Sequence, residues 1–281
     1  MRIITSIEEM EREVAQHREA KSSIGFVPTM GYLHEGHLTL IHTARKENDI
    51  VIASIFVNPL QFGPNEDFDS YPRDFERDEQ LARNNGVDIL FYPNVNDMYK
   101  PDFSFQIKVI DKVDVLCGKK REGHFDGVAT VLIKLFNITR PNRVYFGMKD
   151  AQQVAIVTSV IEDFNFPIEL VPVSTVREED GLAKSSRNVY LTEQERQEAP
   201  NLYYGLKMAR SLIEDGERNP NIIRNKVIEH IANHTSGEID YVEVLSYPEL
   251  KEQKEVFGKI IIAVAVKFTK ARLIDNITFV V

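Results

Sequence analysis

From Ile24 to Val173 the chain alternates short apolar runs with amphipathic stretches, and this alternation constrains its fold more than any other feature. Strand-like runs fall at 24–27, 50–57, 88–92, 143–146 and 168–173, with helix-like stretches between them at 37–46, 75–84, 128–139 and 151–163. The 50–57 run is almost continuously apolar, as a strand covered on both faces requires. Leu38, Ile41 and Ala44 share a helical spacing that predicts one buried face for the first of these helices. Ahead of them, Ser6-Ile7-Glu8-Glu9 reads as an N-cap with an acidic first turn, opening a helix that runs toward Glu19. Strand alternating with helix predicts an α/β fold, a Rossmann-like doubly wound parallel sheet wrapped on both sides.

Past Val176 the pattern changes. Helical stretches at 201–213 and 221–233 precede strand-like runs at 239–245, 259–268 and 276–281, with no helix among the strands. This order predicts a smaller C-terminal α+β domain with an antiparallel sheet. The expected division is 1–176 and 177–281, which puts Lys184 to Arg187 near the junction, and clefts between domains are favoured ligand positions.

A formal net charge of −9 excludes a broad basic surface for nucleic acid but leaves room for a local cationic pocket. Cys117 is the single cysteine, so no intrachain disulfide forms; the expectation is a small buried or inert thiol in a reducing compartment. No run approaches the ~18 apolar residues of a membrane span, and the first residues turn acidic without an apolar leader core. A cytoplasmic protein with no membrane partner is expected.

The chemistry concentrates in a few places. In Val27-Pro28-Thr29-Met30-Gly31-Tyr32-Leu33-His34-Glu35-Gly36-His37, two imidazoles and two glycines follow a strand and open a helix. Ring N–H groups beside a helix N-terminus suit a phosphate. Each histidine taken alone is better explained by a turn cap or an exposed side chain; the pair at a glycine-flanked turn favours phosphate. A zinc site lacks the His-Glu-x-x-His spacing and an obvious third ligand, so no metal ligands are assigned. Beyond the apolar strand, Asn58 and Gln61 flank Pro59, where turn chemistry is the simpler reading. Tyr145 to Gln153 repeats the layout of strand end, glycine and helix. There Gly147 permits close approach of a ligand, Lys149 can act as a point charge on phosphate, and Asp150 either caps the helix or accepts ribose hydroxyls. Lys184-Ser185-Ser186-Arg187 supplies cationic and hydroxyl donors, although by itself it reads as an ordinary loop.

Taken in order, Pro28-Thr29-Met30-Gly31, His34-Glu35-Gly36-His37, Phe56-Val57-Asn58-Pro59, Gln61-Phe62, Tyr71-Pro72-Arg73, Lys149-Asp150, Gln152-Gln153 and Ser185-Ser186-Arg187-Asn188 resemble the pantoate–β-alanine ligase (pantothenate synthetase) family. The resemblance runs over nearly the whole chain. Within it, His34 to His37 corresponds to the His-Ile-Gly-His signature of the nucleotidyltransferase superfamily, with Glu35 in place of isoleucine. Lys184 to Arg187 corresponds to the mobile Lys-Met-Ser-Lys-Ser-type loop, with Lys184 where many relatives carry a hydrophobic residue. Met148 stands where relatives often carry glutamate, so its side chain receives no role.

The resemblance implies ATP-dependent condensation of pantoate with β-alanine through a pantoyl-adenylate, releasing AMP and pyrophosphate. It implies His34, His37, Lys149, Ser185, Ser186 and Arg187 as the catalytic set, with His37 the proton donor. ATP would be surrounded by Met30, Gly31, Tyr32, Leu33, His34, Glu35, Gly36, His37, Gly147, Met148, Lys149, Asp150, Val176, Lys184, Ser185, Ser186 and Arg187. Gln61 and Gln153 would hold pantoate, with β-alanine entering near Gln61. Mg²⁺ would bind mainly through the ATP phosphates, and the family suggests a homodimer. Two other readings stay open at this level: another adenylyl- or cytidylyltransferase or a synthetase fragment, and a catalytically silent nucleotide-binding module.

Overall fold

The computed structural model describes residues 1–64, 66 and 68–281. In chain order its strands and helices are β1 (Arg2–Ile4), α1 (Ile7–Glu19), β2 (Ile24–Thr29), α2 (Glu35–Glu47), β3 (Ile50–Ile55), α3 (Phe75–Asn84), β4 (Ile89–Phe91), α4 (Val95–Met98) and α5 (His124–Thr139). There follow β5 (Arg143–Gly147), α6 (Ala151–Asp163), β6 (Glu169–Val173), α7 (Glu193–Glu198), α8 (Asn201–Glu214), α9 (Pro220–His234), β7 (Glu238–Ser246), β8 (Lys259–Lys267) and β9 (Arg272–Val280).

The first six strands form one parallel sheet in the order β1-β4-β3-β2-β5-β6. This is the doubly wound α/β architecture expected from the alternation. β3 is buried from Val51 to Ile55, as its apolar run requires. On α2 the buried face is Leu40, Ile41 and Ala44, with Leu38 half-buried at its margin. Ser6 caps α1 as expected, its Oγ accepting the Glu9 amide at 3.2 Å. β1, the four-residue α4 and α7 lie outside the sequence reading. β1 is three residues with one buried side chain, too short for a period to register, and α7 is charged or polar throughout.

The order of the sheet reverses between β2 and β5. From β2 the chain steps outward through β3 to β4, then returns to the other side of β2 with β5 and β6. Loops leaving the carboxyl ends of strands diverge at such a switch point and leave a crevice, the usual ligand position in open α/β sheets. β2 delivers residues 30–37 there, β3 delivers 56–61, and β5 ends at Gly147. Pro28, which cannot donate a backbone hydrogen bond, sits in β2 beyond Gly25 and Phe26, the residues of that strand paired with Arg143 and Val144 of β5.

The chain divides into two compact units. The first comprises residues 1–110, 121–147 and 156–174; the second comprises 111–120, 148–155 and 175–281. The two short segments of the second unit hold together through Gln152. Its Nε2 donates to the Lys112 and Val115 carbonyls at 2.8 and 2.9 Å, and its Oε1 accepts from the Gly118 amide at 3.3 Å. The second unit also contains the antiparallel sheet β7-β8-β9, against which α8 and α9 bury Leu206, Ile213, Val227 and Ile231 with Ile262 and Val264. β9 begins at Arg272 rather than at 276. Asp275 and Asn276 interrupt the apolar pattern in the sequence, yet both side chains are buried in the folded strand.

Candidate active site

The imidazole pair closes the first turn of α2. His34 is the N-cap, and its Nδ1 accepts the Gly36 amide at 3.1 Å. His37, three residues on, accepts the His34 amide on its own Nδ1 at 3.3 Å. The two rings thus form a reciprocal capping box built from histidines, with centroids 4.1 Å apart. A neutral ring whose Nδ1 accepts carries its proton on Nε2, so each imidazole presents an N–H donor on its outer edge. Gly36 is required here, because a Cβ would lie 2.8 Å from the His34 ring. The capping reading and the ligand reading of the histidines are therefore compatible: one nitrogen serves the backbone and the other points away from it.

The turn before the pair is fixed by a residue that the sequence reading did not single out. Asp78, on α3 and 1% exposed, accepts the Tyr32 amide on Oδ2 at 2.6 Å and the Leu33 amide on Oδ1 at 2.7 Å. Burial pushes its carboxyl up, over the opposing pull of the two amides. Gly31 adopts φ +84°, and a Cβ there would meet Ile55 and the Asp78 carboxylate at 2.9 and 3.0 Å. The Leu33 side chain is buried in the core, Met30 and Tyr32 are half-buried, and Glu35 is exposed in the first turn of α2. Within Phe75-Glu76-Arg77-Asp78-Glu79 one more acid looks like a solvated charge, so no signal in the sequence marks Asp78.

Gln61 ends the short 3-10 turn Pro59–Gln61 and is held from several directions. Asn58 caps the turn, accepting the Leu60 amide at 3.2 Å and the Tyr99 hydroxyl at 2.9 Å on Oδ1. Its Nδ2 donates to Gln61 Oε1 at 2.9 Å and to the Gly127 carbonyl at 3.0 Å. That contact orients the Gln61 amide with its NH₂ as the group turned from Asn58. The Gln61 carbonyl accepts from His124 Nδ1 at 2.8 Å, so His124 Nε2 is the acceptor for Arg121 Nη1 at 3.0 Å. Arg121 in turn forks onto both oxygens of Glu66, each at 2.6 Å. Burial pushes the Glu66 carboxyl up, but the Arg121 hydrogen bonds and charge outweigh it and hold it below the usual carboxylate range. Arg121 and His124, placed just before an apolar helix, are visible in the sequence only as a charged loop.

The second unit holds the remaining candidates. Gln152 is consumed by the 112–118 segment, whereas its neighbour Gln153 is half-buried and carries none of those contacts. Met148 packs its side chain with Leu116, Ala151 and Tyr247. Lys149 Nζ stands 3.9 Å from the Asp150 carboxylate. A tight hairpin follows β6: Lys184 donates its amide to the Val176 carbonyl at 2.9 Å, Glu178 donates to Leu182 at 2.8 Å, and Arg177 bridges to Ala183. Lys184 Nζ lies 2.7 Å from Glu178 across that hairpin. Ser185 caps the turn Ser186–Tyr190, its Oγ accepting the Arg187 amide at 3.2 Å. Lys149, Ala183, Ser185, Asn188 and Asp275 line one small concavity, so the fold brings the lysine and the first serine of the loop together.

Fold and donors together define an α/β enzyme of the doubly wound class, with imidazole donors at the switch point of its sheet. A family model described as pantoate–β-alanine ligase matches residues 2–278. The chain is 63% identical over 278 residues to a pantothenate synthetase of Geobacillus sp. (strain WCH70), covering 99% of each chain. It superposes on the crystal structure of pantothenate synthetase from Thermus thermophilus with a TM-score of 0.93, at 43% identity and 99% coverage of both chains. The Francisella tularensis pantoate–β-alanine ligase, solved as a complex with β-γ ATP and β-alanine, gives a TM-score of 0.79 at 34% identity, covering 99% of this chain and 97% of that one. The chain belongs to the pantoate–β-alanine ligase family.

Proposed function

We propose that the chain joins pantoate to β-alanine at the expense of ATP, through a pantoyl-adenylate. What carries this reading is the histidine capping box at the sheet's switch point, in a chain matched by the ligase family from residue 2 to 278. A carboxylate is a poor acyl electrophile until it acquires a good leaving group. In the first half-reaction a pantoate carboxylate oxygen bonds to the α-phosphorus of ATP, and the bond to pyrophosphate breaks. Charge moves onto the departing pyrophosphate, so the useful contributions are positioning and preorganised donors. The outer-edge N–H groups of His34 and His37, the Lys149 ammonium, the Ser185 and Ser186 hydroxyls and the Arg187 guanidinium are the donors assigned to this step, with His37 as proton donor. Residues 30–37, 147–150, Val176 and 184–187 surround the nucleotide, and closure of the 184–187 loop keeps water from the adenylate.

In the second half-reaction the neutral β-alanine amine attacks the acyl carbon. A C–N bond forms, the C–O bond to AMP breaks, and the amine nitrogen loses a proton. Gln61 and Gln153 hold the pantoyl group, and the fixed orientation of the Gln61 amide supports that assignment. Mg²⁺, when bound, neutralises phosphate charge. The ion would be held mainly by the nucleotide phosphates, with several waters kept in its shell; among the described residues no group of three His, Cys, Asp or Glu side chains is placed to hold a metal. The same reading includes a homodimer and a cytoplasmic location; among the described residues no helix is long and apolar enough to cross a membrane.

The test is exchange of labelled pyrophosphate into ATP. Exchange that depends on pantoate, and that His34→Ala and His37→Ala each suppress, is the expected result. Exchange without pantoate, or full exchange in both variants, refutes the reading.

A further inference from the structure

Two adjacent residues of β9 tie the lysine turn and the serine loop of the second unit to one strand. Asn276 uses both hydrogens of its side-chain amide: Nδ2 donates to the Met148 carbonyl at 3.0 Å and to the Lys149 carbonyl at 2.9 Å. Asp275, 4% exposed, takes the Arg177 guanidinium in a two-point fork at 2.6 and 2.9 Å. Oδ1 of the same carboxylate accepts the Asn276 backbone amide at 2.8 Å, which fixes the Asp275 side chain against its own strand. Arg177 stands at the base of the hairpin that delivers Lys184 to Arg187. It also donates to the Gly181 carbonyl at 3.1 Å and lies over the Tyr203 ring of α8, 3.6 Å from its centroid.

A buried ion pair and a buried amide are expensive to desolvate and are kept where they define a geometry. Here the Asn276 side-chain donors end on the backbone of Met148 and Lys149, and the Asp275 carboxylate ends on Arg177 at the base of the serine-loop hairpin. We infer that Asp275 and Asn276 are positioning residues for adenylation: Asn276 sets the backbone from which Lys149 projects, and Asp275, through Arg177, sets the base of the loop carrying Ser185 and Ser186. Neither residue touches the reacting atoms. Both act from the C-terminal sheet, and Asp275 lines the same concavity as Lys149 and Ser185. The inference rests on the assignment of Lys149 and the serine loop to the nucleotide phosphates.

The experiment compares the two half-reactions in the full-length protein. Asn276→Ala is expected to slow pantoate-dependent pyrophosphate exchange by about 10- to 100-fold, the effect of shifting a catalytic group by ~1 Å. The second half-reaction, started from preformed pantoyl-adenylate and β-alanine, is expected to change by less than about threefold, since pyrophosphate has already left. Because Asn276 acts through Lys149, the double variant Lys149→Ala/Asn276→Ala should exchange no more slowly than Lys149→Ala alone. Arg177→Lys keeps the charge but loses the fork onto Asp275, and it supplies the second variant if Asn276→Ala does not fold; the same selective loss is expected. The inference is overturned if the folded variants exchange at the wild-type rate, if both half-reactions fall together, or if the Lys149 and Asn276 effects multiply. Wild-type exchange by Lys149→Ala itself would instead overturn the underlying assignment of the lysine.

Discussion

Gly127 offers the sharpest local test, because helix α5 meets the Gln61 turn there without room for a single added carbon. A Cβ on residue 127 would stand 2.0 Å from the Leu60 carbonyl oxygen, 2.4 Å from its carbon and 2.7 Å from the Gln61 amide nitrogen. Ordinary van der Waals contact begins near 3.4 Å, so helix and turn must part by over ~1 Å in Gly127→Ala. All the opposing atoms are backbone, so no side chain can swing aside. The same movement stretches the 3.0 Å bond from Asn58 to the Gly127 carbonyl and the 2.8 Å bond from His124 to Gln61. Overpacking of this kind costs about 1–3 kcal/mol, which lowers Tm by roughly 2–5 °C in a chain of this size. Displacing a substrate-positioning amide by ~1 Å costs up to about 100-fold in rate. Pyrophosphate exchange at varied pantoate should therefore show kcat/KM for pantoate reduced by about 10- to 100-fold, while KM for ATP moves far less. A folded Gly127→Ala protein with unchanged kcat/KM for pantoate, or one in which ATP suffers equally, would refute the argument.

Three further outcomes are expected. A Cβ at Gly147 meets no atom of the chain within 4 Å and the residue is not at positive φ, so Gly147→Ala should leave Tm unchanged; a raised KM for ATP would identify the ligand as what requires the glycine, and an unchanged KM would remove Gly147 from the site. Asp78→Ala orphans the buried Leu33 amide, at about 1–3 kcal/mol, and the half-buried Tyr32 amide, so thermal unfolding should reveal a large loss of stability together with a raised KM for ATP. Glu195 receives amide bonds from Thr192 and Thr269, which hold its carboxyl down at about 2, against an ordinary value of 4.5. A depressed folded-state value contributes stability above 4.5 that is lost as the pH falls toward 2. Glu195→Gln should thus melt several degrees below wild type at neutral pH, and unfolding curves at descending pH should show the gap closing; a gap independent of pH would contradict this account.

The parallel sheet was legible because its strands are covered on both faces and therefore announce themselves as apolar runs, β3 above all. The imidazole pair was legible because glycines and a strand-to-helix transition surround it. What stayed hidden depends on contacts between residues far apart in sequence. Asp78 reads as one charge among several until the Tyr32 and Leu33 amides are seen folded onto it. Asp275 and Asn276 read as a break before a strand because burial of an acid makes sense only once Arg177, nearly a hundred residues earlier, is its partner. Gly127 sits inside an apolar helix where its small size becomes meaningful only against the backbone of residue 60. Gln152 and Gln153 are indistinguishable by type, and only the carbonyls of Lys112 and Val115 mark Gln152 as the one that holds the chain together.

The reciprocal cap on α2 has a consequence for how substitutions at its two histidines are interpreted. Deleting either ring also frays the start of a helix, so a silent alanine variant measures lost folding and lost chemistry at once. Asparagine at position 34 restores an acceptor for the Gly36 amide without restoring an outward N–H, and the gap between asparagine and alanine isolates the architectural share. On the proposed function, a substitution at either position is penalised twice over.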